Sequence, residues 1–423
     1  MPALLPADGR LLVVGAGLAA LRLCQEVRRL GFVGEVVVLG REPHRPYDRP
    51  PLSKHVLLPG PGDAPGPSPA GSVSDLAADG TGLDDLGVDV RTGTRALALD
   101  PLARRVTTTT GTTGTTGTTG TGTTGEERYD ALVVASGAEP VLLRGDGPQH
   151  AVRTWEDAVA LRARLVPGAR VVVVGAGWIG AEVATAALAH GADVTCLEAG
   201  PAPAWAAVGE AVARRVLTPL WRDVRLRTGT RVDRVVDEGV LLADGALVPA
   251  DVVVVGVGVR PTVGWLRGSG VPLGAGVLVD EHLRSGADGV LAVGDAAERW
   301  SPRWRRRLRA EHWEEASTGP AVAARVLLDG PEGTPAHDPV PYVWSDQHGA
   351  RVQLVGLPAD DAGVVWREHV DGSPTATWLS RDGRLLAVLT VDRPREAAQA
   401  RRAVGRAPDR ATLADPATPL HRA

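Results

Sequence analysis

The chain has 423 residues, a formal net charge of −4, 44% hydrophobic residues and 23% charged residues. That length supports two or three domains with buried cores, and the small net charge gives no global pull toward nucleic acid or a membrane surface. Cys24 and Cys196 are the two cysteines and have no CxxC spacing, which excludes a disulfide framework and fits a reducing cytoplasm. The opening "MPALLPADGR" lacks a basic start and the apolar run from Leu11 is broken by Arg22, so neither a signal peptide nor a membrane span is expected.

The first predicted elements lie in "RLLVVGAGLAALRLCQEVRRLGFVGEVVVLG", which reads as strand, glycine turn, helix and strand. Gly15, Gly17 and Ala20 make GxGxxA there, a turn that brings phosphates to a helix N-terminus when the unit binds a dinucleotide. "RPYDRPPLSKH" follows and holds Lys54, the single lysine among 46 lysine and arginine residues. Next come "PGPGDAPGPSPAGS", a loop insertion, and a meander. The tract "TTTTGTTGTTGTTGTGTTG" (107 to 125) has no apolar face and reads as a disordered surface loop replacing a hairpin turn. "YDALVVASGAEP" then supplies a buried strand.

The second unit, "ARVVVVGAGWIGAEVATAALAHGADVTCLEAG", repeats the pattern 160 residues after the first, with Gly175, Gly177 and Gly180 as GxGxxG. Glu198 closes its second strand, where a carboxylate accepts hydrogen bonds from a ribose 2′-hydroxyl. Ala199 and Gly200 follow, with no arginine for a 2′-phosphate, so NADH is favoured over NADPH. "VPADVVVVGVGVRP" and "GVLVDEHLRSGADGVLAVGDAAERW" continue the strands. Asp295 follows a strand and a glycine, a place for either a ligand-binding carboxylate or a turn cap. A helix from about Trp313 to Leu328 precedes a third region of short strands. No metal-ligand spacing occurs.

Together these motifs resemble the pyridine-nucleotide disulfide oxidoreductase class of flavoproteins. "LVVASGAEP" and "VLAVGDAA" look like the strands that complete an FAD domain, although the redox cysteine pair of the disulfide members is missing. "PYDRPPLSK", "RAEHWEEASTG" and "VPYVWSDQHGARVQLVG" look like the ferredoxin reductases of bacterial P450 and aromatic-ring dioxygenase systems. The resemblance implies an α/β fold with two Rossmann-like domains, the NADH domain inserted in the FAD domain, and a small C-terminal α+β domain. The implied spans are 1–149 and 273–330 for FAD, 150–272 for NADH, and 331–423 for the C-terminal domain.

In that family the PLSK lysine, here Lys54, lies near flavin N5 and pairs with a glutamate, here Glu182. The two are the implied catalytic residues. The FAD contacts implied are Gly15, Gly17, Ala19, Ala20, Glu42, Arg49, Lys54, Ala96, Ser136, Gly137, Asp295 and Trp313. Those for NADH are Gly175, Gly177, Ile179, Gly180, Glu182, Glu198 and Gly258. Arg41 and Glu139 stand where relatives carry an acidic residue and an arginine, which makes either a swapped ion pair or two solvated charges. Val343 and Thr262 replace a usual aromatic residue and asparagine. The resemblance implies hydride transfer from NADH to FAD, then single electrons to a ferredoxin. A rubredoxin reductase, a diaphorase and an NADH-sensing interaction protein of the apoptosis-inducing-factor type remain open. Six arginines (299, 303, 305, 306, 307, 309) precede the EHW motif. Arg299, Arg303, Arg305, Arg306 and Arg307, with Trp344, would form a docking patch for an acidic ferredoxin, or else a solvated turn.

Overall fold

The structure is a computed structural model that describes residues 3–60, 81–111 and 122–423. The described residues form two compact units. The first draws on Met1–Asp48, Ser72–Glu139 and Val259–Pro339, and the second on Arg49–Gly71, Pro140–Gly258 and Val340–Ala423.

The first unit is built on a five-stranded parallel sheet in the order Val290–Ala292, Ala131–Val134, Arg10–Val14, Glu35–Leu39, Asp89–Arg91. Its inner strands are unbroken aliphatic runs because a parallel sheet is covered on both faces, and Leu11, Leu12, Val13, Leu132 and Val133 are all fully buried. The helices Leu18–Arg29 and Trp313–Asp329 pack together. The strand Val290–Ala292 joins this sheet only after residues 140–258 have left it, so that segment is an insertion in the chain of the first unit.

Beside it lies an antiparallel sheet of Thr94–Asp100, Arg105–Thr110 and Thr123–Arg128. The ends of the Thr–Gly tract belong to this hairpin: Thr107 to Thr110 pair with Thr123 to Glu126, so the loop expected over 107–125 is narrower than its composition implied. Threonine is β-branched and suits a pleated ladder despite the low complexity. The centre of the tract and residues 61–72 of the proline–glycine segment lie outside the described residues.

The second unit contains a four-stranded parallel sheet, ordered Arg225–Arg227, Asp193–Leu197, Arg170–Val174, Val252–Val255, with the helix Trp178–Ala189. It also contains a five-stranded antiparallel sheet, ordered Tyr342–Gln347, Ala350–Gly356, Leu385–Val391, Thr375–Leu379, Gly363–Arg367, backed by the helix Pro394–Ala403. No helix among the described residues is long and apolar enough to cross a membrane.

Candidate functional site

In the first unit, Gly15 sits at φ +115°, and a Cβ there would lie 2.1 Å from Ala135 O. Only glycine permits that approach of two strand ends. Gly17 caps the Leu18–Arg29 helix with no side-chain bond, no acidic residue fills the first turn, and a Cβ on Gly17 would meet nothing within 4 Å. By contrast, Thr154 and Asp157 cap the Trp155–Arg162 helix reciprocally. The glycine turn therefore leaves a helix N-terminus open to an anion, as a pyrophosphate requires.

Other expected FAD contacts gather there. Ala19 and Ala20 are buried on that helix, and a Cβ on Gly294, next to Asp295, would lie 3.5 Å from both Ala19 and Ala316. Ser136 donates to Thr262 O at 2.8 Å, beside Gly137 at φ +66°. Glu42 accepts from Tyr47 Oη, and its backbone oxygen accepts from Gly93 N, leading into the strand that buries Ala96. Arg41 and Glu139 form the swapped pair at 3.7 Å, with both side chains nearly half exposed. Trp313 donates through Nε1 to Asp48 at 3.0 Å, a partner not singled out in "PYDRPPLSK", and this bond fixes the first residue of its helix.

The arginine run divides. Arg299 is 1% exposed and cannot dock a partner. Its Nε bonds Glu315 at 2.6 Å and its Nη1 bonds Asp338 at 3.2 Å, while His337 meets the same Glu315 oxygen at 3.0 Å. Burial alone would raise the Glu315 carboxyl, but the bonds from His337 and Arg299 outweigh it and hold it below its ordinary value. Arg303, Arg305, Arg306 and Arg307 are exposed, although Arg307 also donates to Val279 O and Glu298 O.

In the second unit, Gly175 (φ +100°) repeats the close approach, with a Cβ 2.4 Å from Gly256 O. Gly177 opens the Trp178–Ala189 helix without a side-chain cap or an acidic first turn, and Gly180 leaves only 2.0 Å between a Cβ and Gly175 O. Ile179 is 43% exposed. Gly258, at φ +117°, faces open space. Glu198 is anchored by Ala176 N at 2.8 Å and Gly200 N at 2.6 Å, one to each oxygen, which leaves lone pairs for a ribose hydroxyl.

The same unit brings Lys54 and Glu182 together at 2.9 Å, with Glu182 almost wholly buried and the Lys54 side chain 19% exposed. Ser345 donates to Glu182 Oε1 at 2.7 Å and Ser53 donates to Oε2. The Lys54 ammonium lies 5.9 Å from the centre of the Trp344 ring, within cation–π range. Trp344 stacks on Tyr342 at 5.8 Å, and Arg401 covers Tyr342 at 4.2 Å. Arg49 donates to Arg153 O. Neither serine was singled out in the sequence, although both lie inside the PLSK and WSDQ motifs. The thiols are inert: burial pushes Cys24 up to about 12 and raises Cys196 as well. Among the described residues no cluster of metal-ligating side chains occurs.

The pyridine nucleotide-disulphide oxidoreductase family model matches residues 9–319, and a reductase C-terminal model matches 342–423. The chain is 34% identical over 420 residues to the ferredoxin–NAD(+) reductase component of an anthranilate 1,2-dioxygenase system from Burkholderia cepacia, covering 96% of this chain and 97% of that one. It is 48% identical to Fdr9, whose crystal structure superposes with a TM-score of 0.87 over 97% of this chain and 99% of that one. The reductase in a covalent putidaredoxin reductase–putidaredoxin complex gives 27% identity and a TM-score of 0.84, with 98% of each chain covered.

Proposed function

This chain belongs to the pyridine nucleotide-disulphide oxidoreductase family, and from that premise we propose that it is the reductase of an oxygenase system, passing electrons from NADH through FAD to a ferredoxin. The observation that carries the reading is that its whole length, C-terminal sheet included, corresponds to reductases of that kind. FAD, when bound, supplies a centre that accepts a hydride and releases electrons singly.

The chain's own groups suit that use. The N-terminus of the Leu18–Arg29 helix, opened by Gly15 and Gly17, would hold the FAD pyrophosphate, and Ala19, Ala20, Glu42, Ala96, Ser136 and Gly137 would contribute to the same site. Asp295 would accept from a hydroxyl of the cofactor, and the helix N-terminus at Trp313 would stabilise negative charge on it. The second glycine turn (Gly175, Gly177, Gly180) takes the NADH pyrophosphate, and Glu198 takes the ribose. Lys54 offers a compact charge at the hydride-transfer centre, held by Glu182, with Arg49, Ile179 and Gly258 bounding the approach. Because both thiols are buried and protonated, a cysteine relay has no part. The exposed Arg303, Arg305, Arg306 and Arg307 attract an acidic ferredoxin, and Trp344 serves its docking. The setting is cytoplasmic, in keeping with two lone thiols.

NADH-driven reduction of cytochrome c, with and without an added oxygenase-type ferredoxin, tests the reading. Strong stimulation by the ferredoxin is expected. Equal rates would overturn it in favour of a diaphorase.

A further inference from the structure

Glu182 is a carboxylate at 3% exposure, and a buried carboxylate stays charged only if donors replace the water it has lost. Lys54 supplies one donor from a flexible stem that still reaches solvent. Ser345 is fully buried, and its hydroxyl meets the very oxygen that Lys54 bonds. It lies in the strand Tyr342–Gln347, directly after Trp344. Three residues further on, His348 N donates to Thr185 Oγ1 at 2.8 Å. Glu182 and Thr185 are themselves three apart on one helix face, so strand and helix are joined at two matched points.

We propose that Ser345 is a positioning residue for the Lys54–Glu182 pair: its hydroxyl holds the Glu182 oxygen aligned with Lys54, and fixes the Trp344 strand to the Glu182 helix. This rests on the reading above that the pair serves hydride transfer. The other charged groups on the surrounding elements have partners or solvent of their own. Asp346 pairs with Arg351, Arg170 with Asp251, and Asp193 with Arg225. Glu198 takes two amides, and His190 meets Leu57 O at 2.7 Å. His55 is exposed. Lys54 is thus the charge that answers Glu182.

The single lysine makes the test direct, because a chain labelled with ¹⁵N-lysine gives one Nζ resonance. In the FAD-loaded protein, Ser345→Ala is expected to move that resonance, because the Glu182 oxygen that Lys54 bonds loses its second donor. It should also lower the limiting rate of flavin reduction by NADH about tenfold, with the half-saturating NADH concentration unchanged. Ser345→Thr should restore both, and Ser345→Cys, which keeps the volume with a weak donor, should repeat the loss if the alanine variant does not fold. A wild-type resonance and rate in the alanine or cysteine variant would overturn the proposal, as would failure of threonine to restore them. Glu182→Gln separates the two levels. If it leaves the limiting rate untouched, the hydride-transfer reading of the pair falls. If it slows reduction while Ser345→Ala does not, the role of Ser345 alone falls.

Discussion

Among the described residues each unit buries one carboxylate on a helix, and the two are answered by different cations. Glu315, in the first turn of the Trp313–Asp329 helix, is held by Arg299 at 1% exposure and by His337 at 4%. Arg299 extends to Asp338 as well, so a planar fork ties together two segments separated in sequence. Glu182 is held by a lysine that remains partly exposed and by two serine hydroxyls. An arginine fork suits a joint that must stay closed. A point charge on a flexible stem suits a place where a nucleotide comes and goes. On the function proposed above, the difference sets architecture in one cluster and chemistry in the other.

The largest break in that contrast should come from Arg299→Ala. Removing one partner of a buried ion pair strands the other charge, so the first unit should lose about 3–5 kcal/mol in chemical denaturation of the FAD-free protein. A loss below about 1 kcal/mol would place this cluster with ordinary surface pairs. Substitution of Lys54 should cost less stability than that, because Ser53 and Ser345 still donate to Glu182 and Lys54 is partly exposed, and should act mainly on rate. Lys54→Ala should slow flavin reduction by NADH about tenfold or more in stopped flow with FAD retained, and Lys54→Arg should recover only part of it. Full recovery by arginine would erase the distinction between the two clusters.

The smallest effect concerns pH. The His348 ring lies tilted against Trp221, with ring centres 4.6 Å apart, and burial lowers its pKa from 6.5 to about 4. The unfolded chain takes up this proton first, so stability is lost progressively as pH falls from about 6.5 to about 4. His348→Asn, which tolerates the φ of +50° found there, should flatten that slope in thermal unfolding followed against pH.

Local pattern made the two glycine turns legible, because turn, aliphatic strand and helix follow each other within about thirty residues, the span of one βαβ unit. The Lys54–Glu182 and Arg41–Glu139 pairs were also within reach, since each follows from where its motif stands. Arg299 was misplaced because a run of arginines reads as a charged surface. The strand Ala297–Ser301 alternates, however: Ala297, Arg299 and Ser301 turn inward while Trp300 is 39% exposed. That period of two was present in "AERWS" and was outweighed by composition. Ser345, Ser53 and Asp48 escaped notice for a different reason. A hydroxyl or carboxylate acquires its partner only when packing brings distant segments together, 163 residues apart for Ser345 and Glu182.

The strand order of the first unit also bears on how the chain emerges during synthesis. Its sheet is incomplete until Val290–Ala292 can pair with Ala131–Val134, whereas the four-stranded sheet of the second unit lies wholly between residues 170 and 255. The later-made sheet can therefore close before the earlier one. At roughly 5–20 residues per second, the aliphatic edge Ala131–Val134 waits about 8–30 s for its last neighbour. An unpaired edge of four buried-type residues is a template for wrong pairing. This stretch is where a nascent chain of this architecture most needs a chaperone, and where slower translation would raise the yield of aggregate.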